Sequence, residues 1–468
     1  MRYTSTALAL LSTLPSAFSV PAPLAAPEPT PASSLAERQL LSGLLKGVIG
    51  NVQSAVARKD PAAVNSALLK VTPTSRPRSI QEAQGQASKV WAAPSGRSDV
   101  YVAIASQVAG GLAPLLDGTL NTIVKGGIPA GENNVNNDNP PPPETIYPKK
   151  ENGDAPYSIS EDKLRKALYI PEGFTYGDKR PVLMVPGTGS YGGTNFANNL
   201  RKLLQGSDYA DPVWLNVPGA MVDDTQNNSE YIAYAINYLS AISESNKDNL
   251  AVITWSQGGL DTQWVLKYWP STRKVVKDFM PVSADFKGTV LANALCLSPN
   301  SNIGLIPCPP SVIQQQATSD FVRAMRRGGG SSAYVPTTTF FSGFLDEIVQ
   351  PMSGPGASGY MNDERGVGVS NNEVNAVCAG RLGGGFYGHA GVLAHPLTYA
   401  LIVDALTNDG PGSLARINVR RVCGNIIAPG LDLDDYLATM ALIPVVGVTL
   451  LAYPDKRMRE PALRAYAR

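Results

Sequence analysis

The segment AVITWSQGGLDTQW, from Ala251 to Trp264, places a serine in a context suited to nucleophilic catalysis. Ser256 follows an apolar β-branched run and precedes a segment with helical spacing, as in the strand–turn–helix of a nucleophile elbow. The usual pattern is G-x-S-x-G, and here Thr254 takes the first glycine position while Gly258 keeps the last. The alternative is a serine that caps a helix. The pattern favours a catalytic Ser256.

A serine nucleophile needs a general base, usually histidine. The chain contains 2 histidines, His389 and His395, and both follow Ser256. This agrees with the serine–acid–histidine order of α/β-hydrolases. His389 lies in the glycine-rich segment GGGFYGHAG, and loops suit catalytic groups. His395 precedes Pro396 beside a helical run and fits a surface or packing role, so His389 is the predicted base.

Two aspartates are candidates for the acid that orients the histidine. Asp346 in GFLDEIVQP and Asp285 in VSADFKG each follow a predicted strand. Either could hold the imidazole in its tautomer and stabilise the imidazolium. Chain position favours Asp346 only modestly. Glu347 is adjacent, but its side chain is expected to point another way.

Stabilisation of a tetrahedral oxyanion needs preorganised hydrogen-bond donors. The backbone N–H after the nucleophile, here that of Gln257, is the usual first donor. The loop PGTGS, which contains Thr188 between two glycines, could supply a second through its N–H and hydroxyl. The alternative for this loop is an ordinary turn at the end of a strand.

These groups need a sheet to position them, and the pattern after residue 150 predicts one. The segments PVLMVPGTGS, NLAVITW, FMPVSADF and VPTTTFFSGFLDE are predicted strands, and helical segments alternate with them. This alternation predicts a mainly parallel α/β sheet. In such sheets catalytic groups gather at the carboxyl ends of the strands.

The part before residue 150 has a different composition. Residues 1–19 are predicted as a secretory signal peptide, with a membrane anchor as the alternative. Residues 20–150 are predicted as a proline-rich and helical extension or pro-region that ends in the linker GENNVNNDNPPPPETIYPKK. Residues 151–468 are predicted as the catalytic domain.

Charge and apolar content exclude several classes of protein. Lys+Arg is 39 and Asp+Glu is 38, so no concentrated basic face for a phosphate backbone is expected. The apolar stretch from Leu437 to Tyr453 contains Pro444 and Gly447. It is marginal in length for a membrane span and is predicted as a helix that lines a hydrophobic cleft.

The 4 cysteines contain no C-x-x-C pair, so a zinc site is not expected. In a secreted protein they are predicted to form disulfides. Cys296 and Cys308 lie close enough to clip a Pro/Asn/Gly-rich loop, and Cys378 and Cys423 would then close a larger one. Asn227 begins the one N-x-[ST] sequon and is a candidate for glycosylation.

Taken together, several motifs resemble those of the Candida antarctica lipase B-like family of fungal secreted serine lipases. They are VLMVPGTGS, DDTQNNSEY, ITWSQGGL, ADFKGTVLA, VPTTTFFSGFLDEIVQP, NAVCAG and HAG. The threonine in TWSQGG is a hallmark of that family. The resemblance runs from Pro156 to Ala467, and the first 150 residues lie outside it.

The resemblance implies an α/β-hydrolase fold, a serine-dependent hydrolysis of carboxylic esters and no cofactor. It favours Asp346 over Asp285 as the acid. One departure is that the segment matching the mobile helix near the cleft mouth is longer here and carries Cys296 and Cys308, which we expect to stiffen a lid-like loop. Carried over by motif, the roles are Ser256, Asp346 and His389 as the triad, Thr188 and Gln257 as the oxyanion hole, Trp255 in the alcohol pocket, Asp285 and Gln315 as polar cleft residues, and Cys378–Cys423 as a disulfide.

The expected function is that of a secreted, extracellular lipase or carboxylesterase that hydrolyses lipid esters through an acyl-enzyme and can transfer the acyl group to an alcohol. The expected partner is a lipid or ester substrate, at a lipid–water interface, for a monomer without nucleic acid, metal or stable membrane insertion. The alternative is a non-catalytic member that binds lipid or a cell-wall partner through the same cleft.

Overall fold

The computed structural model describes residues 47, 49–91, 100–113, 131–297 and 306–468. Gly43–Arg468 forms one compact unit, and the other unit, Met1–Ser42, lies wholly outside the described residues. The predicted signal peptide at residues 1–19 and the proline-rich segment after it also lie outside them. So does most of the loop between Cys296 and Cys308.

A seven-stranded sheet forms the centre of the protein, in the order β1-β3-β2-β4-β5-β6-β7. Only β1 runs antiparallel to its neighbour, so the predicted α/β architecture with a mainly parallel sheet is confirmed. The strands are β1 (Leu168–Tyr169), β2 (Arg180–Val185), β3 (Ala210–Leu215), β4 (Leu250–Trp255), β5 (Val276–Val282), β6 (Thr337–Phe341) and β7 (Val369–Glu373).

The central strands are buried on both faces, which explains their almost continuous apolar sequences. Every residue of β2, β3 and β4 is buried. Helices cover both faces of such a sheet, so strands need no polar side. In the register of β2 and β4, Val185 pairs with Thr254, which brings the PGTGS loop beside Ser256.

Helices surround the sheet and also occur in the described part of the N-terminal extension. The extension contains α1 (residues 49–57), α2 (Pro61–Leu68), α3 (Ile80–Trp91) and α4 (Val100–Ala109). The helices that follow are α5 (Glu161–Lys166), α6 (Gly192–Phe196), α7 (Leu200–Leu204), α8 (Thr225–Ile242), α9 (Gln257–Tyr268), α10 (Thr272–Val275), α11 (Ala292–Leu295), α12 (Pro310–Gln314), α13 (Asp320–Arg326), α14 (Val374–Val377), α15 (Pro396–Thr407), α16 (Val419–Val422), α17 (Leu433–Met440) and α18 (Leu442–Ala452).

The helical part predicted within residues 20–150 is divided into several helices in the described residues. The first two are α1 and α2, which are separated at Asp60. Asp60 caps α2 by accepting from the backbone N–H of Ala63, and Pro61 takes the first helical position. Proline at that position suits the start of a helix because its missing N–H would have no partner there.

Helix α4 packs directly on the C-terminal helices. Ile104 of α4 lies against Gly447 of α18, where an added Cβ would come within 2.7 Å of the Ile104 Cδ1 atom. The Gln107 side-chain amide donates to the Met440 carbonyl at 2.7 Å. Buried side chains of α1, α2 and α4 therefore share one hydrophobic core with α18.

The apolar stretch Leu437–Tyr453 forms parts of α17 and α18. The combined helical stretch Leu433–Ala452 is 20 residues long, with a mean hydropathy of 1.7, and 78% of its apolar window is buried inside the protein. A buried core helix satisfies the length and hydropathy of a membrane span equally well. Ile443, Val446 and Gly447 line the cavity beside Ser256, as predicted for a helix along a hydrophobic cleft.

Candidate active site

Ser256 occupies a sharp turn between β4 and α9. Its backbone has φ 54° and ψ −129°, in the left-handed region that non-glycine residues seldom adopt. Close packing requires glycine at the second and third positions after the serine, Gly258 and Gly259. An added Cβ would lie 2.6 Å from the Pro186 carbonyl oxygen at Gly258 and 2.5 Å from the Ala284 Cβ at Gly259. This is the geometry of a nucleophile elbow.

Thr254 fits in the first glycine position because the facing residue is small. A Cβ added to Gly259 would lie 3.2 Å from the Thr254 Oγ1 atom, which is tight. The second glycine after the serine therefore makes room for the larger side chain before it. Because Gly259 leaves this space on the other side of the turn, the first position of the G-x-S-x-G pattern does not have to be glycine.

Three predicted residues meet beside this turn. The Ser256 hydroxyl lies 2.8 Å from the His389 Nε2 atom, and the His389 Nδ1 atom lies 2.9 Å from Asp346 Oδ2. Asp346 Oδ1 also accepts from the backbone N–H groups of Ile348, at 3.0 Å, and Val349, at 2.7 Å. These bonds fix the carboxylate, so His389 is held as a Nδ1–H donor with Nε2 facing the serine.

The electrostatics of this group favour a protonated His389 more than usual. Burial lowers the pKa of His389, but the charge and hydrogen bond of Asp346 outweigh it, and the net pKa is raised above its ordinary value. Glu347 and Asp285 raise it further. The carboxyl groups around the imidazole therefore stabilise the imidazolium that a general base becomes.

Asp285, the other candidate for the acid, lies close enough for its charge to act on His389 but forms no hydrogen bond with the imidazole. It is fully buried, and neither of its oxygens has a hydrogen-bond partner among the described residues. Burial raises the pKa of Asp285 to about 7. Of the two aspartates that strand position suggested, only Asp346 bonds to His389.

Glu347 is the functional candidate that sequence reasoning missed. Its side chain was expected to point in another direction from that of Asp346. Its Oε2 atom accepts from the backbone N–H of His389 at 2.8 Å, and not from the imidazole ring. Nothing in the sequence other than its position next to Asp346 signals this contact.

Thr188, Gln257 and Gln315 form a hydrogen-bonded cluster in front of the serine. The Gln257 Oε1 atom accepts from the Thr188 hydroxyl at 2.7 Å and from the Gln315 Nε2 atom at 2.9 Å. Its Nε2 atom donates to the Met221 carbonyl and to Asp261 Oδ2, each at 3.0 Å. Because a carbonyl can only accept, Met221 fixes which end of this amide faces Thr188.

The two glycines beside Thr188 let its loop approach the serine. A Cβ at Gly187 would lie 2.7 Å from the Trp255 ring, and Gly189 has a φ of +68°. Trp255 is buried, donates from Nε1 to the His389 carbonyl at 3.2 Å and lines the same cavity as Ser256. The structure therefore brings the predicted oxyanion and pocket residues together around one point.

The cavity beside Ser256 is narrow and is lined mainly by apolar side chains. About 20 Å³ is open to the centre of a water-sized sphere, which is room for about one water molecule. Its lining combines the site residues with side chains from α4, α11, α12 and α18: Ile104, Thr188, Trp255, Ser256, Thr289, Ala292, Leu295, Val312, Gln315, Ile348, Val349, His389, Ile443, Val446 and Gly447.

Both predicted disulfides are present, Cys296–Cys308 and Cys378–Cys423. Cys296 follows α11 directly, and the Leu295 carbonyl beside it accepts from the Tyr101 hydroxyl of α4 at 2.6 Å. The first disulfide therefore adjoins two of the helices that line the cavity.

The remaining predicted residues lie outside the cavity. Asn227 is half-buried in the first turn of α8, where it donates to Asp223 at 3.2 Å and accepts from the Arg464 guanidinium. His395 is fully buried between the Gly383 carbonyl, at 2.8 Å, and the Leu397 N–H, at 3.0 Å. Burial lowers the pKa of His395 to about 4, which keeps it neutral.

Within the described ranges, no group of three or more His, Cys, Asp or Glu side chains is arranged to hold a metal ion. The polar groups that line the cavity are instead the hydroxyls of Thr188, Ser256 and Thr289, the Gln315 amide and the His389 imidazole. Such a set can accept a proton from the serine and donate hydrogen bonds to an oxygen that becomes negative.

The chain is similar to two known lipases. It is 37% identical to lipase B of Pseudozyma antarctica over 292 residues, which are 62% of this chain and 79% of that protein. It also matches the crystal structure of Aspergillus fumigatus lipase B with a TM-score of 0.78 and 44% identity, over 90% of this chain and 100% of that one. At this coverage the second match includes part of the N-terminal extension. No protein-family model matches the chain.

Proposed function

The chain belongs to the lipase B family and is a carboxylic ester hydrolase of the α/β-hydrolase fold, and we propose that Ser256, His389 and Asp346 carry out the hydrolysis. The observation that carries this proposal is the continuous line of hydrogen bonds from the Ser256 hydroxyl through both nitrogens of His389 to Asp346. This is the arrangement that activates a serine.

In the first step the Ser256 Oγ atom attacks the ester carbonyl carbon while its proton passes to the His389 Nε2 atom. The C–O bond to the alcohol then breaks, and His389 returns the proton to the leaving alkoxide. Water, deprotonated by the same nitrogen, attacks the acyl-enzyme and releases the acid. Asp346 stabilises the imidazolium throughout by accepting from Nδ1–H.

The oxyanion of each tetrahedral intermediate is held by Thr188 and Gln257. Gln257 is the first residue of α9, so its backbone N–H has no acceptor within the helix. The positive end of the helix dipole favours negative charge at the same place. The Thr188 hydroxyl, which donates to Gln257 Oε1 in the narrow cavity, turns towards the oxyanion when a substrate is bound.

The apolar lining indicates lipid esters as substrates, with Trp255 beside the alcohol part and Gln315 as a polar group of the cleft. Asp285, the other polar residue expected there, is fully buried and is not part of this lining. Pockets that bind small molecules measure about 300–1,000 Å³, so the apolar side chains of α4, α11 and α18 that line the cavity move before a substrate enters. The Cys296–Cys308 disulfide adjoins α11 and is expected to limit the movement of that helix. An alcohol in place of water gives acyl transfer.

Disulfides persist in oxidising compartments, which supports secretion of the mature enzyme into the extracellular space. Residues 1–19 act as the signal peptide, residues 20–150 as an extension with a linker, and residues 151–468 as the catalytic part, in a monomer. Intact mass and N-terminal sequencing of the secreted protein test these boundaries, and occupancy of Asn227 by a glycan is read from the same mass.

The hydrolysis of p-nitrophenyl esters from C2 to C18 and of emulsified triacylglycerol tests the proposed function. The wild type is expected to turn over the series, and Ser256→Ala is expected to lose at least about 10⁴-fold in kcat with an unchanged thermal midpoint. A wild type that is folded yet inactive on every ester would favour a non-catalytic lipid-binding protein.

A further inference from the structure

We propose that Glu347 is a positioning residue for the catalytic base, which holds the backbone of His389 while Asp346 holds its ring. This inference rests on the proposed function, because it concerns the same histidine. Two consecutive carboxyl side chains, at Asp346 and Glu347, diverge after β6 and return to one residue on a different loop. Asp346 Oδ2 lies 2.9 Å from the His389 Nδ1 atom, and Glu347 Oε2 accepts from the backbone N–H of His389 at 2.8 Å.

The loop that carries His389 needs such a hold. It contains Gly383, Gly384, Gly385 and Gly388, and glycine gives a backbone more conformational freedom than any other residue. The carbonyl of His389 accepts from Trp255 Nε1 at 3.2 Å and from the Ser283 hydroxyl at 3.0 Å. Glu347 supplies the bond to the opposite side of the same residue, so both peptide groups of His389 are anchored.

Gly388 shows how closely the carboxyl packs on this loop. A Cβ added there would lie 2.3 Å from Glu347 Oε2 and 2.8 Å from its Cδ atom. Glu347 is half-buried as a residue, but its carboxyl group points inward. The Oε1 atom is buried and has no partner within the described part of the chain. A buried polar atom without a partner lowers stability, which a purely structural contact would not require.

The charge of Glu347 also acts on the base. Burial raises the pKa of Glu347, and the neighbouring Asp346 charge raises it further, while His389 lowers it. Tyr436 faces the same carboxyl, and Asp285 faces His389. When Glu347 is ionised it raises the pKa of His389. Its replacement by a neutral side chain therefore lowers the pKa of His389.

Two variants of Glu347 separate a positioning role from a general loss of stability. In Glu347→Leu the His389 N–H loses its acceptor, and a displaced base is expected to lower kcat by about 10- to 100-fold, with KM for a soluble p-nitrophenyl ester nearly unchanged. In Glu347→Gln the amide oxygen can still accept from that N–H, so most of kcat is expected to return. The acidic limb of its pH profile is expected to move to lower pH.

Glu460 provides a matched control. Its two carboxylate oxygens accept from the backbone N–H groups of Asp320, at 2.8 Å, and Phe321, at 2.7 Å, at the start of α13 and outside the cavity lining. Glu460→Leu removes the same kind of bond and is expected to lower the thermal midpoint while kcat stays at the wild-type value.

The results distinguish this inference from the proposed function. A wild-type kcat in Glu347→Leu overturns the inference, as does a Glu347→Gln variant that is as slow as Glu347→Leu with an unshifted acidic limb. If Glu347→Leu does not fold, the position of the acidic limb in the pH profile of Glu347→Gln is sufficient to test the inference. Equal activity of the wild type and Ser256→Ala would instead overturn the proposed function.

Discussion

The floor and the roof of the cavity are built in different ways. We call floor three polar residues that line the cavity, Thr188, Ser256 and His389, together with Gln257 and Asp346, which hold them by hydrogen bonds from behind the lining. We call roof the apolar residues from α4, α11 and α18, namely Ile104, Leu295, Ile443 and Val446. The floor is held by directed hydrogen bonds, and the roof by packing among side chains that have no preferred direction.

This difference determines what each region can tolerate. A hydrogen bond in the floor needs one atom type at one place, so an isosteric change removes its function while the fold remains. A roof position needs only an apolar side chain of suitable volume. We therefore expect floor substitutions to change kcat strongly, and roof substitutions to change stability and substrate size.

Substitution of the two histidines, with His395 as the control outside the floor, is expected to give the largest difference in kcat. We expect His389→Leu to lower kcat by about 10⁴-fold or more because the general base is lost, with the fold retained. His395→Leu leaves the Leu397 N–H and the Gly383 carbonyl without partners, which costs about 1–3 kcal/mol of stability. Ester turnover and thermal unfolding of both variants check this, and a comparable loss of kcat in both would refute the assignment of the base.

Thr188 tests the oxyanion hole within the floor. Thr188→Val keeps the shape and the backbone N–H but removes the hydroxyl, and the loss of one donor is expected to cost about 10²-fold in kcat. Thr194→Val is the control, because its hydroxyl donates to Asn133 Oδ1 at 3.1 Å outside the cavity lining. Steady-state kinetics on one soluble ester decide it, and equal kcat values for the two variants would exclude a role for this hydroxyl.

The acidic limb of the pH profile measures the electrostatics of the floor. In the proposed mechanism neutral His389 is the active form. The charge and hydrogen bond of Asp346 raise the pKa of His389 above its ordinary value, against the effect of burial. Activity is therefore present above that pKa and lost below it, so kcat/KM should fall about tenfold per pH unit on the acid side. The midpoint is expected above the ordinary value for histidine, and a midpoint below it would contradict the geometry described for the carboxyls.

Ile104 tests the roof. Ile104→Ala enlarges the cavity from the side of the extension, so kcat/KM is expected to rise several-fold for bulky esters relative to small ones. Leu68→Ala removes a similar buried side chain from α2, away from the cavity lining. Both variants should lose about 2–5 kcal/mol of stability, but only the first should change the ranking of esters. The same shift in both would mean that the roof acts through general loosening.

The floor was largely predictable from the sequence because directed chemistry leaves short motifs. The strand–turn–helix around Ser256 and the scarcity of histidine pointed to Ser256 and His389 as the proposed nucleophile and base. The family resemblance favoured Asp346 over Asp285 as the proposed acid. The alternating strands predicted the parallel sheet. The contact of Glu347 with His389 was not predicted, because the direction of a side chain next to a strand end depends on the loop that follows.

The roof was predictable only in part. The apolar stretch Leu437–Tyr453, which contains Ile443 and Val446, was predicted to line a hydrophobic cleft, but the contribution of α4 was not predicted. Periodic apolar residues show that a helix face is buried, but not which partner covers it. Ile104 and Gly447 are far apart in the chain, and no local sequence signal indicates that their helices, α4 and α18, pack against each other. The extension therefore appeared as a separate helical segment, although α4 forms part of the cavity wall.

Labelling with an organophosphonate ester tests the central claim most directly, because the phosphorus centre mimics the tetrahedral intermediate and bonds to the activated nucleophile. Peptide mapping by mass spectrometry should find a single label per chain, on the peptide that contains Ser256. Ser256→Ala and His389→Leu should take up none at the same reagent concentration. A wild type that stays unlabelled, or a label on another residue, would contradict the account.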